Sequence, residues 1–208
     1  LTELHTRLDE NRAEMERNKS KLQNTYLVQK KLHELTEKSR IYDELEEKHR
    51  GQTAQIQALL ARCRDADPAE TRNLLKRILL LGTYIKRSAN LYFLSREYDC
   101  LPQQELQLTV DEAVRALIAC GTDCGVVYRT TGPMRSTEVV RLLDLLKNVV
   151  EMTIDELHSL FISISDSAMD LSVECAADLS LVAAPGTTVL REDGLWLIRT
   201  QIGEQSDA

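Results

Sequence analysis

Apolar residues in the first third of the chain recur at helical spacing. Leu1, Leu4, Leu8, Met15 and Leu22 fall three, four or seven positions apart, and Leu32, Leu35, Tyr42 and Leu45 resume the stripe after a change of register. The positions between are mostly Glu, Lys, Arg and Gln, all adequate helix formers; up to Arg64 there is no proline and one glycine, Gly51. A single helix over this stretch would run roughly 95 Å at 1.5 Å per residue. Such a stripe has nothing of its own to be buried against, so a parallel coiled-coil dimer is expected, with Asn11 and Asn18 on the seam fixing register.

The segment RDADPAE breaks this helix. Asp67 is a good N-cap, and Pro68 suits the first helical position, where no backbone N–H is needed. A second helix is predicted from there to about Glu97, with Leu74, Leu75, Ile78, Leu81, Ile85, Leu91 and Leu94 on one broad face. Two helices joined by a short turn make a hairpin, and two hairpins make a four-helix bundle, here assigned to residues 40–98.

DCLPQQE, with Pro102, marks a change of pattern. A helix is predicted from Val110 to Ala119, then the strand GVVYR, a helix from about Ser136 to Thr153, and the strands Leu160–Ser165 and Met169–Cys175. TTVLRE and LWLIRTQI follow as a hairpin, because Asp193–Gly194 is a favoured two-residue turn. The fold class is therefore α+β, with residues 105–203 forming a sheet that carries helices on one face. Trp196 alternates with apolar neighbours in LWLIR and reads as core.

Charge and cysteine usage narrow the function. A net charge of −7 over 208 residues lacks the basic face that nucleic-acid binding requires. Five scattered cysteines, Cys63, Cys100, Cys120, Cys124 and Cys175, read as reduced thiols, and neither the Cys120/Cys124 pair nor the dispersed His5, His33, His49 and His158 make a metal motif. No segment reaches the ~18–20 apolar residues that span a bilayer, and no signal peptide is present. The chain starts at Leu1 without methionine, which reads as a piece of a longer protein. A cytoplasmic location follows, with membrane attachment only through a segment upstream.

Residues 40–203 resemble the cytoplasmic region of sensor histidine kinases of two-component systems. The order is the same: a signalling coiled coil (1–39), a dimerisation and phosphotransfer hairpin (40–98) and a kinase-type α/β sandwich (105–203). Arg40-Ile-Tyr-Asp-Glu-Leu45 is similar to the lead-in of a phosphoacceptor box reading R-I-x-x-E-L-H-D. In that register Glu46 stands where the histidine belongs and Glu47 where its acid belongs. A kinase histidine attacks the γ-phosphate through a neutral ring nitrogen, and a carboxylate would bring an anion to an anion. His49, one turn on, is the alternative acceptor.

For the nucleotide site, the resemblance implies an asparagine-bearing helix with an acid four residues earlier, matched by Asn148 and Asp144 in LLDLLKNVVEM. It also implies a strand ending in D-x-G-x-G, where this chain has Glu174, with Ala176 and Asp178 in place of the glycines. A Cβ at each of those places obstructs close backbone approach. ADLSLVAAPGTTVLREDG leaves no room for a nucleotide lid. The expectation is a degenerate kinase with no cofactor, ATP and Mg²⁺ being disfavoured. It would be a homodimeric pseudokinase that relays a signal or binds a response-regulator receiver domain. Gly82-Thr83-Tyr84-Ile85-Lys86-Arg87 offers such a partner two bases and an aromatic, or is simply exposed helix. The alternatives are an active kinase or phosphotransferase using His49 or a histidine native to position 46, and a plain coiled-coil structural adaptor.

Overall fold

The computed structural model describes residues 2–182 and 186–203, with side chains from residue 14 onward. The expected seam positions Leu1, Leu4, Leu8 and Asn11 lie outside the described side chains. By its internal contacts the chain divides into two units, Leu1–Arg50 and Gly51–Ala208. The partition falls within the first helix, and DCLPQQE, expected to be a boundary, lies inside the second unit.

Helix α1 spans Thr2–Arg62 without interruption. Over Met15 to Arg50 its surface is charged, and Arg40 reaches back to Glu37 at 2.8 Å and forward to Glu44 at 2.5 Å, the one-turn spacings that favour ion pairs on a helix. Of the expected stripe, Met15, Leu22, Leu32, Leu35 and Tyr42 are exposed, while Leu45 is buried.

Helix α2, Pro68–Glu97, begins as the sequence predicts. The Asp67 carboxylate accepts from the backbone N–H groups of Ala69 at 2.9 Å and Glu70 at 2.8 Å, with Pro68 in the first turn. Its apolar positions do not form one face. Leu74 and Leu81 are buried with Leu59 at the end of α1, joined by Ile56, Cys63 and Ile78. Leu91, with Leu80, Tyr84 and Leu94 beside it, belongs instead to the core of the sheet domain. Leu75 is left exposed, as are Leu79 and Leu60.

A two-residue strand β1 (Cys100–Leu101) pairs antiparallel with β3 (Met134–Arg135). Helix α3 runs Gln103–Ala119, seven residues longer at its start than the periodicity from Val110 indicates, because Leu106 extends the buried stripe back to Pro102. Then come β2 (Asp123–Arg129), α4 (Ser136–Thr153), β4 (Leu157–Ser165), β5 (Ala168–Cys175), β6 (Thr187–Glu192) and β7 (Leu195–Gln201). The five-stranded sheet has the order β2-β4-β5-β7-β6, with β2 parallel to β4 and the other pairs antiparallel. The β6–β7 turn carries positive φ at Asp193 (49°) and Gly194 (87°), the two-residue geometry that matches strand twist.

Register aligns the buried face in rows: Val126, Ile162, Leu171 and Ile198 stand side by side, next to Leu160, Val173 and Trp196. This face packs on α3 and α4, whose Leu106, Leu117, Val139, Leu142 and Val149 are almost fully enclosed. The chain is thus α+β, a mixed sheet with helices on one face, preceded in sequence by two helices. Trp196 is buried, with the Arg191 guanidinium 5.1 Å over its ring.

Candidate functional site

The segment that resembles a phosphoacceptor box lies on α1. Glu46 and Glu47 are exposed, and the Glu47 carboxylate meets Arg50 at 2.5 Å one turn on. His49 differs from the solvated helix histidine that its charged surroundings suggest, for it is only 5% exposed. The pattern explains this. Tyr42, Leu45, His49, Gln52, Ile56 and Leu59 follow one another at alternating three- and four-residue steps, so His49 occupies a stripe position between Leu45 and Ile56. An enclosed ring presents no nitrogen to an incoming phosphoryl group, while the carboxylates beside it are open.

The three residues aligned with a nucleotide site do not converge. Asp144, on α4, accepts a hydrogen bond from the Tyr84 hydroxyl of α2 at 2.8 Å. Asn148, one turn along, is exposed, and its Oδ1 is 3.5 Å from Lys147 Nζ. Lys147 in turn pairs with Glu151 at 2.9 Å and stands 5.5 Å over the Tyr84 ring. Burial, reinforced by the neighbouring Asp144, pushes the Tyr84 phenol well above its usual range.

Glu174 alternates with Val173 and Cys175, whose side chains enter the core, so its own side chain lies on the opposite face of the sheet. There it accepts from Ser159 Oγ at 2.9 Å. After β5, Ala176 and Asp178 are exposed, and Asp178 caps the backbone N–H of Ser180 at 2.9 Å, which holds its carboxyl below the usual range. Leu179 and Val182 then insert into the core. The chain end of this strand is closed by apolar side chains, and its carboxylates point away from α4.

Tyr84 and Arg87 of the GTYIKR segment turn inward. Arg87 is buried, and its Nε and Nη2 both donate to the Glu112 carboxylate of α3, while Lys86 Nζ reaches the same carboxylate at 3.1 Å. Hydrogen bonding from Arg87, helped by Lys86 and opposed by burial, holds the Glu112 carboxyl down at about 2. Of that segment's two bases, only Lys86 remains at the surface. Sequence reading missed Glu112, although a signal was there. It lies three residues after Thr109 and four before Ala116, both buried, and an acid on a buried helix face requires a cation.

Among the described residues no group of three or more His, Cys, Asp and Glu side chains is placed to hold a metal ion. All five cysteines are free thiols. Cys124, facing the core from β2, is pushed up to about 11 by burial and by Asp123, and burial also raises Cys120, whose Sγ is 3.8 Å from the Lys76 carbonyl. Among the described residues no helix is long and apolar enough to cross a membrane.

No protein-family model matches the sequence, and no curated protein matches it. Among solved structures, the chain is similar to the histidine kinase AdeS of Acinetobacter baumannii, with 13% identity and a TM-score of 0.30, over 76% of this chain and 98% of that one. It is similar to a bacterial phosphotransferase, with 9% identity and a TM-score of 0.38, over 77% of this chain and 91% of that one. A third likeness is to the histidine kinase domain of a blue-light activated histidine kinase from Erythrobacter litoralis, with 13% identity and a TM-score of 0.40, over 72% of this chain and 95% of that one.

Proposed function

We propose that this chain is a dimeric, kinase-like module of two-component signalling that relays a signal or holds a response-regulator receiver domain without phosphorylating itself. The observation that carries the reading is the segment resembling an acceptor box, where two open carboxylates, Glu46 and Glu47, precede an enclosed His49. The nucleotide side supports it independently. Asp144 is committed to Tyr84, Glu174 faces away from α4, and Leu179 and Val182 fill the end of the core. Dimerisation is supported by the exposed apolar residues along α1 and by Leu60, Leu75 and Leu79 at the surface of the hairpin, which a second copy would cover.

The test is incubation with radiolabelled ATP and Mg²⁺ of the chain and of Glu46→His and His49→Ala, with sedimentation of the unlabelled protein alongside. The expected result is a dimer with no incorporation in any of the three. Labelling of Glu46→His alone would show that a nucleotide site survives and that the loss is confined to one position. Labelling of the parent chain that disappears in His49→Ala would replace this reading with active phosphotransfer. A monomeric mass would remove the dimer.

A further inference from the structure

The face of the five-stranded sheet opposite α3 and α4 is open to solvent, with Phe161 48% and Leu190 54% exposed, and the register orders it into rows that cross all five strands. We propose that this face docks an amphipathic helix of another protein, one that carries an apolar stripe with Lys or Arg along one side.

The middle row reads Gly125, Phe161, Ser172, Leu197 and Leu190. Alternation puts it there, because each strand sends the next residue, such as Val126, Ile162, Val173, Ile198 or Val189, toward the core. The Phe161 ring lies over Gly125, where a Cβ would come within 3.2 Å of it, so the glycine gives the ring its seat. Val127 and Leu195, exposed diagonally on either side, widen the apolar patch. A contiguous apolar patch bordered by polar residues marks an interaction surface. Five strands span about 19 Å at the usual interstrand spacing, the length of about 13 helical residues.

Charge decides the occupant. The row on one side holds Asp123, Glu174 and Glu192, in register with Ser159 and Leu195, and contains no base. The row on the other side is neutral, because Asp170 meets Arg199 there at 3.6 Å. Three exposed carboxylates along one border of an apolar strip repel anionic lipid and nucleic acid and favour a basic partner. A second copy laid on this face does not supply one. A two-fold axis along the strands sets the acids against their own counterparts, and an axis along the row sets them against the neutral side. A helix lying in the apolar row with its bases on the Glu174 side satisfies both the patch and the charge. The assignment does not depend on the signalling proposal, since it involves neither α1 nor ATP.

The experiment follows the fluorescence anisotropy of a labelled synthetic helix titrated with the intact chain. The probe is a peptide of about 14 residues with a leucine stripe bordered on one side by lysine, and its twin carries glutamate in place of lysine. The expected result is saturable binding of the lysine peptide, about tenfold tighter than its twin. Phe161→Thr should weaken that binding by about tenfold or more, the worth of a large apolar side chain, and Leu190→Thr on the edge strand is the second variant should Phe161→Thr fold poorly. Glu174→Gln/Glu192→Gln should remove the preference between the twins and leave the leucine-driven binding. Sedimentation of Phe161→Thr should return the mass of the parent chain. No saturable binding, equal affinity for the twins, or binding unmoved by either apolar variant would overturn the inference. So would a halved mass in Phe161→Thr, which would give the face to a second copy.

Discussion

Replacing Arg87 with methionine tests the contact between α2 and α3 most directly. Methionine keeps the length and apolar stem of the side chain and removes only the guanidinium. The pair is well enclosed, with side-chain exposures of 5% for Arg87 and 21% for Glu112. Breaking a buried pair by deleting one partner costs about 3–5 kcal/mol, because the other charge is stranded. Glu112 keeps some solvent and retains Lys86, a partner that is 66% exposed and worth up to ~1 kcal/mol. The expected loss is therefore about 2–3 kcal/mol. At about 2–4 °C per kcal/mol for a chain of this size, melting should fall by roughly 4–12 °C.

The same pair predicts a pH signature. The Glu112 carboxyl is held at about 2 in the folded chain, chiefly by the hydrogen bond from Arg87, against about 4.3 for a free glutamate. A depressed folded value means that the contribution is complete above about pH 4.3 and is lost as pH falls toward 2. Urea unfolding of parent and variant should therefore differ most near neutral pH and converge through that acid window. In a double-mutant cycle with Glu112→Gln, the second change should cost little once Arg87 is gone. A gap that stays constant down to pH 3, or one below ~0.5 kcal/mol at pH 7, would refute the assignment of this pair as a stabilising clamp.

Two further outcomes follow from the local geometry. Asp67→Ala removes the acceptor for two orphan N–H groups at the start of α2 and should cost about 1 kcal/mol in urea denaturation, with Asp67→Asn recovering most of it. Burial, together with the hydrogen bonds to Asp144 and Asp111, raises the phenols of Tyr84 and Tyr128, so neither should contribute phenolate absorbance while the chain remains folded in alkali. Spectrophotometric titration of the Tyr84→Phe/Tyr128→Phe double variant should then match the parent up to the unfolding transition and fall below it afterwards.

The features legible in the sequence are those with local causes. The start of α2 is written in Asp67-Pro68, the final hairpin in Asp193-Gly194, and α4 was placed at its observed limits by its apolar period. Strands β4, β5 and β7 declared themselves by alternation. What escaped were properties set by which surface meets which. The apolar residues of α2 read as one face, yet they divide between α1 and the sheet domain, and periodicity alone cannot assign an apolar position to one neighbour over another. His49 was masked by the charges around it, although its place in the three-and-four spacing was visible. The strands β1 and β3, two residues each, carry no periodic signal and exist only because their partner is thirty-odd residues away. Of the expected site, Asp144 and Asn148 lie on the helix the sequence assigned them, but the Tyr84 hydroxyl that claims Asp144 comes from sixty residues upstream.

The division of α2 between two neighbours bears on how such a chain diversifies. Leu91 is rooted in the interior formed by the strands, so a recombination breakpoint at Asp99 would tear that interior open in both daughters. Exchange of modules with other proteins is tolerable only where a compact unit is left whole, and one such unit begins at Gly51. Everything from Gly51 onward is then inherited as one block.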